Sequence, residues 1–135
     1  MSIDRKYLVC ALAYAAAGMS LGIYMAASGN HAQFVTHAHI MLVGFVVSLM
    51  YAIIYRLWLP GPTAALSRVQ FLVHQLGAIL MTIGLYLLYG GIASEPKMEP
   101  ILGIASIAVL VAMLLMLMLV LRKDARASSA TVPAT

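Results

Sequence analysis

Charge is scarce in this chain. Of its 135 residues only 9% are Asp, Glu, Lys or Arg, and only four are acidic, where a soluble domain carries about 25% charged residues. None of the four, Asp4, Glu95, Glu99 and Asp124, falls inside a long apolar run. A proton- or cation-coupled transporter usually places a carboxylate there, so that class is disfavoured. A single cysteine, Cys10, rules out an intrachain disulfide. It sits in an apolar run, where a free thiol behaves as a small core residue. No Cys-x-x-Cys-His is present, which excludes covalent c-type heme. The sequence also has no glycine-rich phosphate loop, nucleophile–base pair or carboxylate pair. The net charge of +4 does not imply nucleic acid, because the basic residues lie at the ends of apolar runs and not along one face.

Apolar residues are abundant, at 64% of the chain with a mean hydropathy of +1.00. Crossing a bilayer takes ~20 apolar residues, and four runs are long enough: about 7–27, 36–59, 69–89 and 100–121. The expected fold class is an all-α membrane protein, a single four-transmembrane-helix bundle over residues 1–135. Asn30 to Gln33 is a polar loop, Pro60-Gly61-Pro62-Thr63 a break, and Gly90 to Glu99 the acidic loop. The tail 125–135 is small and polar and is expected to be flexible. A cleaved-signal reading of Arg5-Lys6, the apolar run and Ala26-Ala27-Ser28 competes for the first span. The run is longer than the usual signal core, so it is read as a span.

Orientation follows from the basic residues. Arg5, Lys6, Arg56, Arg68, Arg122, Lys123 and Arg126 fall on one side and Lys97 on the other. The positive-inside rule then puts both termini in the cytoplasm of a multi-pass bacterial inner-membrane protein. Trp58 and Tyr55 at one end, and Tyr86 and Tyr89 at the other, suit interfacial belts. Gly18-x-x-x-Gly22 in the first span suits close backbone approach. Ala105, Ala108 and Ala112 form a small-residue stripe in the fourth span, whose Met113, Met116 and Met118 read as packing residues.

The chemistry-bearing residues are the histidines. His37 and His39 enter the second span as Val35-Thr36-His37-Ala38-His39-Ile40. Imidazole is a common heme and metal ligand, and ionisable groups in a span are costly and usually functional. Positions two apart on a helix are turned by roughly 200°, so these two histidines point to nearly opposite sides and suit two different sites. His37, Met41, Gly44, Ser48, Tyr51 and Tyr55 form a polar or small face expected to point into protein. His39 shares the other side with Val43, Val46 and Met50. In the third span Gln70, His74, Gly77, Met81 and Gly84 share a face. His74 lies on the order of 20 Å in depth from His39, too far to share an iron. It is a candidate for a second cofactor-binding site, a proton relay or a structural hydrogen bond. His31 lies in the loop. With His37, Met19 and Met25 it offers imidazole and thioether donors that suit copper.

The segment from Val35-Thr36-His37-Ala38-His39-Ile40 through Gly44 to Tyr55-Arg56 resembles the heme–copper oxidase subunit I superfamily, in particular the short four-span proteins called cytochrome oxidase subunit I-like. Arg68 to Gly77 is similar to the start of their third span. The resemblance covers roughly residues 7–121, and its specific part is the His-x-His. It implies a bundle like one four-helix arc of that subunit, with His37 and His39 each giving an axial ligand to a heme b. The histidine pair and the His–Tyr elements of the copper centre have no counterpart here. The resemblance therefore implies electron transfer or heme handling and not a catalytic oxidase. By the same analogy three copies form a ring, a homotrimer with heme at protomer interfaces held by His37 of one copy and His39 of the next. Two other classes compete: a copper-binding or copper-transfer protein using His31, His37, His39 and nearby methionines, and a cofactor-free assembly subunit of a respiratory complex.

Overall fold

The computed structural model describes residues 1–59, 61 and 65–130, with side chains placed through Arg122. Four helices are long and apolar enough to cross a membrane: α1 (Ile3–Ser28), α2 (Phe34–Leu57), α3 (Ala65–Tyr89) and α4 (Glu95–Ala130), the last membrane-compatible over Glu95–Arg122. The chain is thus an all-α, four-helix membrane protein. Its N-terminus, Arg56 and Arg122 lie at one end of the bundle. The loop carrying His31 and the turn at Gly90-Gly91 lie at the other.

The helices extend past the apolar runs wherever nothing in the sequence stops them. α1 begins at Ile3 with Asp4 in its first turn, a favourable place for a carboxylate beside the positive helix end. It stops where Gly29 takes the left-handed conformation, φ 66°, which glycine adopts freely. α4 starts five residues before Pro100, so the second half of the expected acidic loop is helix. Lys97 N and Met98 N close onto the Ser94 carbonyl, and Glu95 complements the first turn. Pro100 lies inside this helix and forfeits one backbone hydrogen bond near its start. The expected flexible tail is corrected in part. α4 continues to Ala130 because Arg122 to Ala130 contains neither proline nor glycine and three alanines, the strongest helix former. Residues 131–135 lie outside the described residues, as do Pro60, Pro62 and Thr63 of the expected break.

α2 is not α-helical throughout. Its middle, Ile40–Val47, winds as a π-helix between the α-helical stretches Phe34–His39 and Ser48–Leu57. The buried positions explain the benefit. Thr36, Ile40, Gly44 and Ser48 are all buried, a run of four-residue steps. In an α-helix each such step drifts by about 40°, and the stripe would turn away from the bundle. The wider π turn keeps the four in line. Below it, Tyr51, Ala52 and Tyr55 are buried with α spacing.

Two apolar clusters hold the bundle. At the N-terminal end Ile3, Tyr7, Tyr51, Ala52, Tyr55 and Met116 pack together, with Phe71 against them. In the other half Met81, Leu85 and Ala105 pack with Val35 and Val43. α3 and α4 approach closely because a glycine faces alanines. A Cβ on Gly77 would stand 3.0 Å from the Ala108 Cβ and 3.2 Å from the Ala105 carbonyl oxygen. Ala105 and Ala112 are fully buried, so the alanine stripe is this interface. The face of α3 shared by Gln70, His74, Gly77, Met81 and Gly84 is internal: all five are buried.

Candidate functional site

His37 and His39 lie one turn above the π segment, both half-buried. Each ring is pinned through Nδ1. His37 Nδ1 is 2.9 Å from the Gly18 carbonyl oxygen on α1. His39 Nδ1 is 2.8 Å from the Val35 carbonyl oxygen of its own helix. A carbonyl can only accept, so in both rings Nδ1 carries the proton and donates. In a neutral imidazole the lone pair then sits on Nε2. This is the tautomer and tethering that a ligating histidine adopts, with its other nitrogen fixed by a backbone carbonyl.

The two rings leave the helix in different directions, as their spacing requires. His37 turns toward α1 and lies over Gly22, whose Cβ, were there one, would stand 3.1 Å from Cε1 of the ring. At Gly18 the same cleft takes Met41 and Ile40 side chains, with Met41 Sδ 2.5 Å from the position of a Cβ. The Gly18-x-x-x-Gly22 motif therefore admits side chains of α2, where the sequence suggested close approach of two backbones. His39 shares its side with Val43, half-buried, and Val46 and Met50, both exposed. One imidazole is thus directed between helices of its own bundle and the other beside an apolar outer wall.

His74 is placed quite differently. Its ring is fully buried, with Nε2 3.1 Å from Ser48 Oγ. Gln75 Nε2 donates to the same hydroxyl at 3.3 Å. Tyr51 stands edge-on to the ring at 5.0 Å between centroids, and Tyr7 is tilted against it at 5.9 Å. The Val43 carbonyl of the π segment approaches His74 without closing a well-formed hydrogen bond, and Nδ1 has no partner among the described residues. Ser48 is nine residues beyond His39, about 13 Å along the helix. This is less than the depth expected from the sequence and still too far for a shared iron. The His74 ring has no exposed edge, so in this fold it presents no nitrogen to a cofactor as large as heme.

Below His74 a second polar group was only partly foreseen. Gln70 Oε1 accepts from Tyr7 Oη at 2.7 Å and from Tyr55 Oη at 3.1 Å, and Gln70 Nε2 donates to the Ala112 carbonyl at 3.3 Å. One amide thereby ties α1, α2, α3 and α4 together. Of its two readings, belt residue and member of the inward face of α2, Tyr55 follows the second. It is 3% exposed because its hydroxyl is held inside by Gln70. Trp58, Tyr86 and Tyr89 are exposed and keep the belt role. Cys10, expected in the core, is only half-buried. Met116 is buried, while Met113 and Met118 are exposed. Met113 sulfur accepts from Tyr51 Oη at 3.5 Å.

The donors of the copper alternative differ in exposure. His31 is exposed, with Nδ1 on the Gly29 carbonyl at 3.2 Å. Met25 is buried and Met19 exposed. Among the described residues no three His, Cys, Asp or Glu side chains stand close enough to hold a metal ion.

No protein-family model, curated protein or solved structure matches this chain.

Proposed function

We propose that this membrane protein binds heme b through His37 and His39 and serves in electron transfer or heme handling. The observation that carries the reading is the pair of tethered rings. Both Nδ1–H groups are spent on backbone carbonyls, which leaves an Nε2 lone pair on each side of one helix. Two such nitrogens on opposite sides serve two irons, so each iron needs its second ligand from elsewhere. His74 is enclosed, and a second copy of the chain is the natural source. His37 of one protomer and His39 of the next would then ligate one iron. Heterologous contacts of this kind close into a ring, and by analogy with the resemblance noted above the ring is a homotrimer. When bound, heme supplies one-electron redox chemistry. His37 and His39 would hold it through Nε2, with the tautomer fixed by the backbone carbonyls, and Val43, Val46 and Met50 would offer it an apolar wall.

The basic residues support an orientation for this reading: both termini in the cytoplasm of a bacterial inner membrane, with His37 and His39 toward the outer half.

The deciding experiment is a visible spectrum with a heme-to-protein ratio and native mass spectrometry on detergent-purified protein. The expected result is a low-spin reduced spectrum, one heme per chain, and a trimer. His37→Ala and His39→Ala should each remove an axial ligand from every heme. A colourless, metal-free preparation returns the protein to the class of cofactor-free assembly subunits. Copper without heme moves it to copper handling. A heme-loaded monomer overturns the shared-ligand arrangement.

A further inference from the structure

At the N-terminal end, a groove of about 330 Å³ lies between α1 and α2. Its walls are apolar, with Leu8 on α1 and Leu49 and Ala52 on α2, and Asp4, Arg5 and Arg56 stand at its rim. Ala52, small and buried, leaves room between the larger side chains of Leu49 and Arg56 a turn to either side. The rim is charged and open. Arg56 Nη1 is 4.0 Å from Asp4 Oδ2, the Arg56 side chain is 78% exposed, and Arg5 is exposed beside it. Two guanidinium groups against one carboxylate leave a net positive rim. A guanidinium carries five N–H donors, and one contact at 4.0 Å leaves that capacity almost unused. Exposed Trp58, two residues from Arg56, marks the headgroup level at this end.

We infer that this groove is a site for an anionic phospholipid, with its phosphate on Arg56 and Arg5 and an acyl chain along Leu8, Leu49 and Ala52. Charge complementarity selects the occupant. Arginine presents a fork that matches phosphate oxygens. An apolar slot running from the headgroup level into the membrane fits a hydrocarbon chain and not a soluble anion. The Asp4 carboxylate at the rim repels a phosphate, so the site depends on both arginines. This inference is independent of heme.

The test is native mass spectrometry of the full-length protein in mild detergent, with phosphatidylglycerol or phosphatidylcholine of identical chains added. Phosphatidylglycerol should be retained preferentially. Arg56→Gln and Arg5→Gln should each lower its retention about fivefold, as expected for one basic residue near the surface. Ala52→Trp should fill the groove and reduce retention of the lipid with both arginines intact. Leu42→Trp, on an exposed position outside the groove, should leave retention unchanged and controls for the added bulk. Equal retention of the two lipids overturns the inference. So does wild-type retention by Arg56→Gln or Ala52→Trp, or the loss of an oligomer in place of lipid in Ala52→Trp.

Discussion

Gly22 of α1 and His37 of α2 meet across a surface that has no side chain on one side: the imidazole lies where a Cβ would come within 3.1 Å of Cε1. The absent methyl is what lets Nδ1 reach the Gly18 carbonyl one turn earlier. Gly22→Ala should therefore cost on the order of 1 kcal/mol through overpacking, and Gly22→Val about 1–3 kcal/mol. Denaturation in detergent measures the cost. The Gly22→Val protein should also lose the heme signal that Gly22→Ala keeps, because only the larger group drives the ring off its carbonyl.

Gly44 has a stricter neighbour. A Cβ there would lie 2.6 Å from the Tyr14 ring and 3.0 Å from the Tyr14 Cβ. The tyrosine stem cannot swing clear as a flexible chain end would. Gly44→Ala should cost more than Gly22→Ala, about 2–3 kcal/mol. The double variant Gly44→Ala/Tyr14→Ala should recover part of the loss, which a double-mutant cycle of unfolding free energies would show.

Gln70 satisfies two tyrosine hydroxyls with one oxygen. Gln70→Leu removes the acceptor of Tyr55 Oη and leaves Tyr7 Oη only the Gln70 backbone carbonyl at 3.5 Å, at about 1–3 kcal/mol for a stranded buried hydroxyl. Tyr7→Phe/Tyr55→Phe in the Gln70→Leu background should restore stability toward the starting protein. Failure of that rescue would show that the hydroxyls find other partners.

His74 is enclosed away from the other histidines, so His74→Ala should destabilise the bundle by about 2–4 kcal/mol through the space it leaves. It should retain the heme spectrum wherever the protein is folded. Ser48→Ala, which removes the partner of Nε2, should cost less, near 0.6 kcal/mol. Parallel thermal unfolding and absorbance scans separate the two effects.

The spans were legible because bilayer thickness fixes the length of an apolar run, and four runs met it. The internal face of α3 was legible because polar and small residues punctuate it at helical spacing. What lay hidden depended on partners far along the chain. Ser48 and His74 are 26 residues apart, and no local pattern pairs them. Tyr55 reads both as a belt residue and as part of the inward face, and Gln70 beside it decides for the inside. The π segment was invisible for a different reason. Ile40 to Val47 is apolar apart from one glycine, so no polar residue marks which side faces the bundle. The His-x-His could be placed in direction from spacing alone. The backbone carbonyls that fix its tautomer could not, since one of them belongs to another helix.

The π winding of Ile40–Val47 fits more residues between its two ends than an α-helix of the same rise would. That surplus has a consequence for how the gene can change. Deleting a single residue from an ordinary helix turns everything beyond it by about 100°. Deleting one from Ile40–Val47 lets the wide turns tighten to α geometry, with His37 still over Gly22 and Ser48 still on His74. This stretch should accept a one-codon deletion that the flanking α-helical stretches of the same span reject, and an inserted residue elsewhere in α2 should be absorbed only by opening a second wide turn.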